Sequence, residues 1–540
     1  MNWNAVNSIN SLSGPWSLQW NDAIALELNQ LAERGVLVPA PPDFHGRALK
    51  SKMLLRVTFD NNYAVKFKAR FVVCGYSQRP GIDFHETFSP TTSSHTIMML
   101  IHCAGALQMH MSGFDVGAAF LEGMNDVPLF CQFPRELTPV NQFPIFFQII
   151  RSLYGEKQAP KLWNDHLHSI LIHLGLRRSP MDPCLYAGTI NGDCSTQILL
   201  CVHVDDGLLL TKPPGAHKLF LESFAKHLQK ITRFDPIQKY VGLELSPITD
   251  TIQCGWTIHQ ESYISAHFTT RENTFHPRVP MSPSIDLRTQ TPIPENASLL
   301  PVIGALRYLA DRSRPDILVA TAEMSCGTAH TAPSIAHLNT ATQCVDYLQH
   351  TKHLRLKLGS DHSLLLFAFC DASYISVADS KSRLGGCLFL GINSGAFQSF
   401  SKKDTTVSHS STEAEIKALD ILIKEVDIAR IQLEFMGLPM LEPTKIFMDN
   451  ASAILLCNSL RSGHKTKHIN VRINYIRQVI NDRIVELHFV PSAFNVADIL
   501  TKPLGPDLFL AHRTHLLSGF SEHEFQTLLT RGTSSFQSHS

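Results

Sequence analysis

The sequence predicts an α+β first unit followed by an independent α/β unit. Three observations carry that expectation. Apolar runs at 198–204 (ILLCVHV) and 208–210 (LLL) flank two adjacent aspartates, Asp205 and Asp206. A second apolar stretch, 114–120 (FDVGAAF), holds Asp115, 90 residues upstream. A fresh strand-like run at 364–373 (LLLFAFCDAS) follows a helical region and again delivers a carboxylate, Asp371. A chain of 540 residues has room for three or four domains at ~150 residues each.

Taken in order, residues 20–34 carry apolar positions at helical spacing, with Gly35 as the stop. Residues 52–75 read as a β-hairpin turning at Asn61 and Asn62, whose second strand alternates Lys66, Lys68 and Arg70 with apolar residues. Such alternation describes the wet face of a strand, or a row of cations aimed at phosphates. Adjacent carboxylates between two apolar runs read as a tight hairpin with Asp206 and Gly207 as the turn signal. Segments alternate to about 245, and a Pro- and Thr-rich stretch at 276–301 reads as a linker. Residues 302–350 are helical, the α/β unit runs from about 364 to 505, and the Ser-rich end after 531 is expected to be disordered.

Composition bounds the setting. Basic and acidic residues balance at 47 each, so a basic groove must be local rather than a property of the whole surface. No apolar run reaches the ~18 residues needed to span a bilayer, and the start (MNWNAVNSIN) lacks the regions of a signal peptide. The expectation is no membrane partner and no secretion. The 12 cysteines include no CxxC, and Cys74, Cys201 and Cys387 sit in apolar stretches, as thiols in a reducing compartment do. That points to the cytoplasm or the nucleus.

Adjacent ionised carboxylates repel, so a rigid hairpin tolerates them best with divalent cations to share. Asp115, Asp205 and Asp206 on neighbouring strand ends are what two-metal nucleotidyl transfer requires. Phe120 reads as a core ring or as a flat surface beneath a nucleotide sugar that excludes a 2′-hydroxyl. The loop 152–160 (SLYGEKQAP), with Tyr154, suits template contact or support of a nucleotide pocket, and 240–245 (YVGLEL) suits contact with a primer end. In the second unit Asp371, Glu415, Asp449 and Asp498 follow at intervals of 44, 34 and 49 residues, and can converge on one sheet edge as a second two-metal site. Ser410 caps a helix there, and Asn495 to Asp498 open what reads as a last helix.

These blocks in this order, FKARFVVCGYSQRPGIDFHETFSP (67–90), FDVGAAFLEG (114–123), SLYGEKQAP, CVHVDDGLLL (201–210), YVGLEL and ALRYLADRSRPDI (305–317), resemble the reverse transcriptase of copia-type retrotransposons. SSTEAE (410–415), TKHINVR (466–472) and ADILTKPL (497–504) resemble the copia-type ribonuclease H. The resemblance implies part of a Pol polyprotein: an α+β right-hand polymerase of fingers, palm and thumb, then an α/β ribonuclease H-like domain. It implies a leader at 1–19, fingers and palm at 20–250, thumb and connection at 251–360, the nuclease at 361–505, and a partly disordered tail at 506–540.

By the same resemblance Asp115, Asp205 and Asp206 hold metal for polymerisation, and Asp371, Glu415, Asp449 and Asp498 hold it for RNA cleavage. Glu415 fits the Glu-x-x-Ala spacing to Ala418, with Glu413 the close competitor. Lys68 and Arg70 meet the triphosphate, Phe120 gates the sugar and residues 242–245 grip the primer. Mg²⁺ or Mn²⁺, two ions per site, would serve both, with an RNA template, a DNA primer, dNTPs and an RNA–DNA hybrid as partners. The compartment would be a cytoplasmic virus-like particle or the nucleus. His464, Lys467 and His468 read as strand contacts or surface residues. Two positions depart from the family: His203 replaces a tyrosine, and His409 a small apolar residue. They leave a catalytically decayed nucleic-acid-binding relic, or a nuclease-only protein, as the alternatives.

Overall fold

The computed structural model describes residues 16–59, 65–137, 144–190, 192–248, 254–269, 276–287, 291–294, 298–330, 333–374, 381–459 and 470–534. Helix α1 (Ser17–Glu33) lies on a five-stranded sheet made from β1 (Leu37–Pro39), β2 (Leu49–Phe59) and β3 (Val65–Val73) together with two later strands. The expected hairpin is β2 and β3; its turn at Asn61 and Asn62 lies outside the described residues. The alternation of β3 has a simple cause. Ala69 and Phe71 face inward, where Ala69 meets Trp20 and Ile24 of α1, while Lys66, Lys68 and Arg70 face water.

Helix α2 (Ser94–Ala106) precedes β4 (His110–Val116). The strands β5 (Met124–Gln132) and β6 (Phe146–Arg151) complete the first sheet in the order β1-β6-β5-β2-β3. After α3 (Ala159–His173) come β7 (Leu176–Arg178), β8 (Leu185–Ile190), β9 (Asp193–His203), β10 (Asp206–Lys212), α4 (Ala216–Ala225) and β11 (Ile231–Phe234). The second sheet is ordered β11-β4-β10-β9-β8-β7. Its central strands are apolar on both faces because helices cover both. Ile198, Leu200, Val202 and Leu209 pack with Trp163 of α3 and Phe220 and Phe224 of α4. Leu199, Cys201, Leu208 and Leu210 pack on the α2 side.

A third sheet joins β12 (Lys239–Tyr240), β13 (Leu243–Pro247) and β14 (Trp256–His259) to a strand nearly 100 residues later. Between them lie α5 (Glu261–His267), α6 (Leu300–Ala310), α7 (Leu318–His330) and α8 (Ile335–His350), and β15 (Leu356–Leu358) then returns to pair with β14. The division expected at 250/251 therefore falls between two strands of one sheet, and the helices 261–350 are an excursion from it.

The carboxyl-terminal unit contains β16 (Leu366–Ser373), β17 (Arg383–Leu390), β18 (Ala396–Lys403), α9 (Ser411–Phe435), β19 (Thr444–Met448), α10 (Ala451–Asn458), α11 (Asn470–Asn481) and β20 (Val485–Phe489). The order is β18-β17-β16-β19-β20, antiparallel through β16 and parallel beyond it. Two further helices, α12 (Pro506–Ser518) and α13 (Glu522–Ser534), fill most of the segment expected as a partly disordered tail. Phe520 and Phe525 pack against Phe367 of β16, so these helices supply one layer of the core. Residues 535–540 lie outside the described residues, as do 1–15 of the expected leader. The expected last helix at 495–498 is instead a short 3-10 turn, Val496–Leu500.

One hydrophobic core runs through both halves. Met98 and Leu100 of α2, Cys201 of β9, Ala368 of β16 and Leu419 and Leu422 of α9 belong to a single buried cluster. Residues 96–106 of α2 are buried without interruption, because the second sheet covers one side and the carboxyl-terminal unit another. At its end three backbones meet: a side chain on Gly105 would stand 2.5 Å from both Gly255 Cα and the Gly359 carbonyl oxygen. Beside them the Gly359 amide donates to His102 Nδ1 at 3.1 Å. Burial drives the His102 pKa down to about 4, which keeps that nitrogen an acceptor.

Two candidate carboxylate sites

In the second sheet Asp206 of β10 is the register partner of Asp115 on β4, and His203 of β9 is its partner on the other side. The hairpin turns at Val204 and Asp205, not at the Asp-Gly pair. Val204 has a φ of 61°, an unfavourable value for a β-branched residue. It is anchored there by the Trp163 indole, which donates to its carbonyl oxygen at 2.6 Å. Gly207 answers to packing instead: any side chain would enter the ring of Phe114, its partner across the pair.

The turn sets Asp205 beside the facing Asp115 and Asp206, and the Val116 amide donates to the Asp205 carbonyl oxygen at 2.9 Å. All three side chains are part-buried. Burial, then the charges of Asp205 and Asp115, lift the Asp206 pKa to about 6. Burial and Asp205 also raise Asp115, against the pull of Lys230. Among the described residues these three do not form a group whose ligand oxygens all lie within 4.8 Å. The cluster is an open, strained gathering of negative charge.

The surroundings fit an anionic ligand. Arg70 places its guanidinium 4.7 Å from the centre of the Tyr154 ring, and Tyr154 meets Phe120 edge-on at 6.2 Å. A stack therefore runs from the cationic strand β3 to the turn after Asp115, with Lys68 exposed on the same face as Arg70. Phe120 lies on a 3-10 turn, Ala119–Glu122. The Tyr154 hydroxyl is buried with no hydrogen-bond partner, and burial raises its pKa to about 12. The hairpin containing residues 242–245 reaches the same region. Arg312 donates to the Val241 carbonyl oxygen and covers the Tyr308 ring at 4.5 Å. Burial and the Arg312 charge hold His203 below the usual imidazole range, and its Nδ1 is buried and unpartnered.

The second cluster is tighter. Asp371 lies on central strand β16, Asp449 follows β19 and Asp498 sits in the 3-10 turn. Their ligand oxygens all lie within 4.8 Å of one another. Glu415 of α9 is 5% exposed, and its Oε2 has no hydrogen-bond partner. Burial, then Asp371 and Asp449, push its pKa well above the carboxylate range. Glu413 is committed elsewhere: its Oε2 accepts the His409 amide at 2.8 Å, and Lys417 lies 3.2 Å from its Oε1. It closes the helix cap begun by Ser410, whereas Glu415 faces the aspartates.

Residues not singled out from sequence complete this site. Lys502 stands 3.0 Å from Asp498 and 3.9 Å from Asp371, Thr501 donates to Asp371, and Ser492 donates to Asp449. Asn495, fully buried, donates to the Cys370 carbonyl oxygen at 2.9 Å and accepts from the Ala497 amide, fixing the turn that carries Asp498. One signal was available: Lys502 follows Asp498 by four residues, one helical turn. Even with Lys502 present, burial and Asp371 lift the Asp498 pKa to about 7. An all-oxygen donor set with an orphaned carboxylate oxygen suits a hard divalent cation. His464, Lys467 and His468 lie outside the described residues.

Residues 36–280 match the reverse transcriptase (RNA-dependent DNA polymerase) family. The chain is 27% identical over 500 residues to the retrovirus-related Pol polyprotein from transposon RE1 of Arabidopsis thaliana, covering 91% of this chain and 33% of that protein. It is also 27% identical to the Pol polyprotein from transposon TNT 1-94 of Nicotiana tabacum, covering 91% of this chain and 37% of that one. The chain thus spans about a third of the length of these relatives. A solved foamy viral protease-reverse transcriptase in complex with double-stranded DNA shares 13% identity at a TM-score of 0.46, over 87% of this chain and 70% of that chain, too remote to argue from. No helix among the described residues is long and apolar enough to cross a membrane.

Proposed function

Starting from a chain related to the Pol polyproteins of copia-type retrotransposons, we propose an RNA-directed DNA polymerase joined to a ribonuclease H. The observation that carries the polymerase reading is the pairing of Asp115 with Asp206, with Asp205 at the adjacent turn, inside the segment that matches the reverse transcriptase family. Asp115, Asp205 and Asp206 would hold Mg²⁺ or Mn²⁺. When bound, the ions lower the pKa of the attacking hydroxyl and offset charge on the leaving group. Arg70 and Lys68 bind the triphosphate of a dNTP, Tyr154 braces Arg70, and Phe120 offers the sugar a flat surface. The hairpin at 239–247, held by Arg312, supports the DNA primer on its RNA template.

The ribonuclease reading is supported by the convergence of buried Asp371 and Asp498 with part-buried Asp449, and of Glu415 beside them. These acids would hold two ions, with water as the nucleophile toward the RNA strand of an RNA–DNA hybrid. Thr501 and Ser492 orient the carboxylates. The half-buried His203, standing where the family has a tyrosine and paired in register with Asp206, favours the competing reading of a relic without synthesis.

The test is Mg²⁺-dependent extension of a DNA primer on an RNA template by the purified protein. Extension lost in the Asp205→Asn, Asp206→Asn variant supports the polymerase. Folded protein that binds the primed template and extends nothing in Mg²⁺ or Mn²⁺ leaves the relic or the nuclease alone.

A further inference from the structure

A third cluster of ligating side chains lies apart from both carboxylate sites. His110 opens β4, His217 is the second residue of α4, and Asp235 follows β11 directly. Each of the three comes from a separate element, and their ligand atoms all lie within 4.8 Å of one another. His110 Nε2 is 3.0 Å from Asp235 Oδ1, and His217 Nε2 is 3.0 Å from Asp235 Oδ2. We propose that His110, His217 and Asp235 form a binding site for a zinc-class divalent cation, distinct from the oxygen-only sites.

Two features support a cation over a simple hydrogen-bonded group. First, His110 Nε2 is buried yet has no hydrogen-bond partner, although the carboxylate oxygen is only 3.0 Å away. Contact at that distance without an aligned N–H is what neighbouring ligands of one ion show. Atoms about 2.1 Å from a common tetrahedral ion stand about 3.4 Å apart, so the 3.0 Å contacts need open by only a few tenths of an ångström to admit one. Second, two imidazoles and one carboxylate form a nitrogen-rich donor set that suits Zn²⁺ or Co²⁺ and poorly suits Mg²⁺. The two rings lie side by side with centroids 4.1 Å apart, and each sets its Nε2 beside a different oxygen of Asp235.

The site has a structural consequence. Asp235 begins the crossing from the second sheet to the hairpin at 239–247, and Ile237 on that crossing packs over Gly113 of β4. An ion here would fasten the crossing to β4, the strand that carries Asp115 five residues after His110.

The experiment uses the full chain, stripped with chelator and then titrated with Co²⁺ in excess Mg²⁺. Visible ligand-field absorption reports binding, and calorimetry with Zn²⁺ repeats it. One equivalent should bind in wild type and equally in Asp371→Asn, Asp449→Asn. Affinity should fall at least about tenfold in His110→Asn and in Asp235→Asn. Both replaced side chains are partly exposed, and circular dichroism verifies that the variants fold. The proposal is overturned if Co²⁺ binding disappears with the Asp371 and Asp449 changes. It is overturned equally if the histidine and Asp235 variants bind as wild type does, or if wild type binds none. This site does not depend on the polymerase reading.

Discussion

At the second sheet Asp115 and Asp206 face one another across an antiparallel pair and stay part-exposed, whereas Asp371 and Asp498 are 2% and 3% exposed in the carboxyl-terminal unit. The first cluster leaves its charge to water and to Lys230 nearby. The second, with Asp371 and Asp498 buried and only Asp449 part-exposed, carries its own ammonium, Lys502, and two hydroxyl donors. The comparison teaches how burial sets what a carboxylate cluster needs. An open cluster can lean on solvent, but a buried one must be neutralised from within or keep its protons.

The largest expected effect breaks the two sites apart. Asp449→Asn should lower RNA cleavage on the order of a hundredfold or more and leave primer extension near wild type. Equal loss of both activities would mean that the sites are not separate. The scaffold, by contrast, is shared. Gly105→Ala puts a methyl group against the backbone of Gly255 and Gly359 and should cost ~1–3 kcal/mol. Calorimetry should show a single unfolding transition moving down, with both activities lost together on heating; two transitions, only one of them shifted, would show independent halves.

Protonation offers a finer distinction. Asp206 is raised to about 6 and Asp498 to about 7, and each must lose its proton to bind metal. At limiting Mg²⁺, cleavage should therefore fail at higher pH than extension as the solution is acidified. Coincident pH profiles would count against this. Without metal the sign for stability is opposite. Folded carboxyls with raised pKa values bind protons that the unfolded chain has released, so their contribution falls as pH rises from about 4 to 7. Mg²⁺ should reverse that slope. The smallest effect belongs to Lys502→Met: a lower unfolding temperature without metal and a larger rise on adding Mn²⁺. An unchanged rise would mean that Lys502 is only a surface partner of Asp498.

Much of the site was legible because strand alternation and capping are local. The carboxylates at strand ends, the Ser410 cap and the cationic face of β3 all follow from spacing within one element. What escaped depended on distant packing. Gly207 looked like a turn residue, but Phe114 of another strand dictates it. The last two helices looked like a tail, because Phe509, Phe520 and Phe525 are spread thinly among polar residues; Phe509 meets Tyr347 of α8, and Phe520 and Phe525 meet the aromatic residues of β16, β17 and β19. The sheet joining β14 to β15 could not be read across an excursion of nearly 100 residues. Glu413 and Glu415 both fit the local pattern, and only the position of Asp371 separates them.

The most direct test of two chemically separate sites on one core follows both strands in a single reaction. A DNA primer and an RNA template, each labelled, are incubated with dNTPs, Mg²⁺ and wild type, the Asp205→Asn, Asp206→Asn variant, or Asp449→Asn. The account predicts extension with template cleavage for wild type, cleavage of a preformed hybrid without extension for the first variant, and extension without cleavage for the second. Loss of both activities in either folded variant, or extension that survives the loss of Asp205 and Asp206, would contradict it.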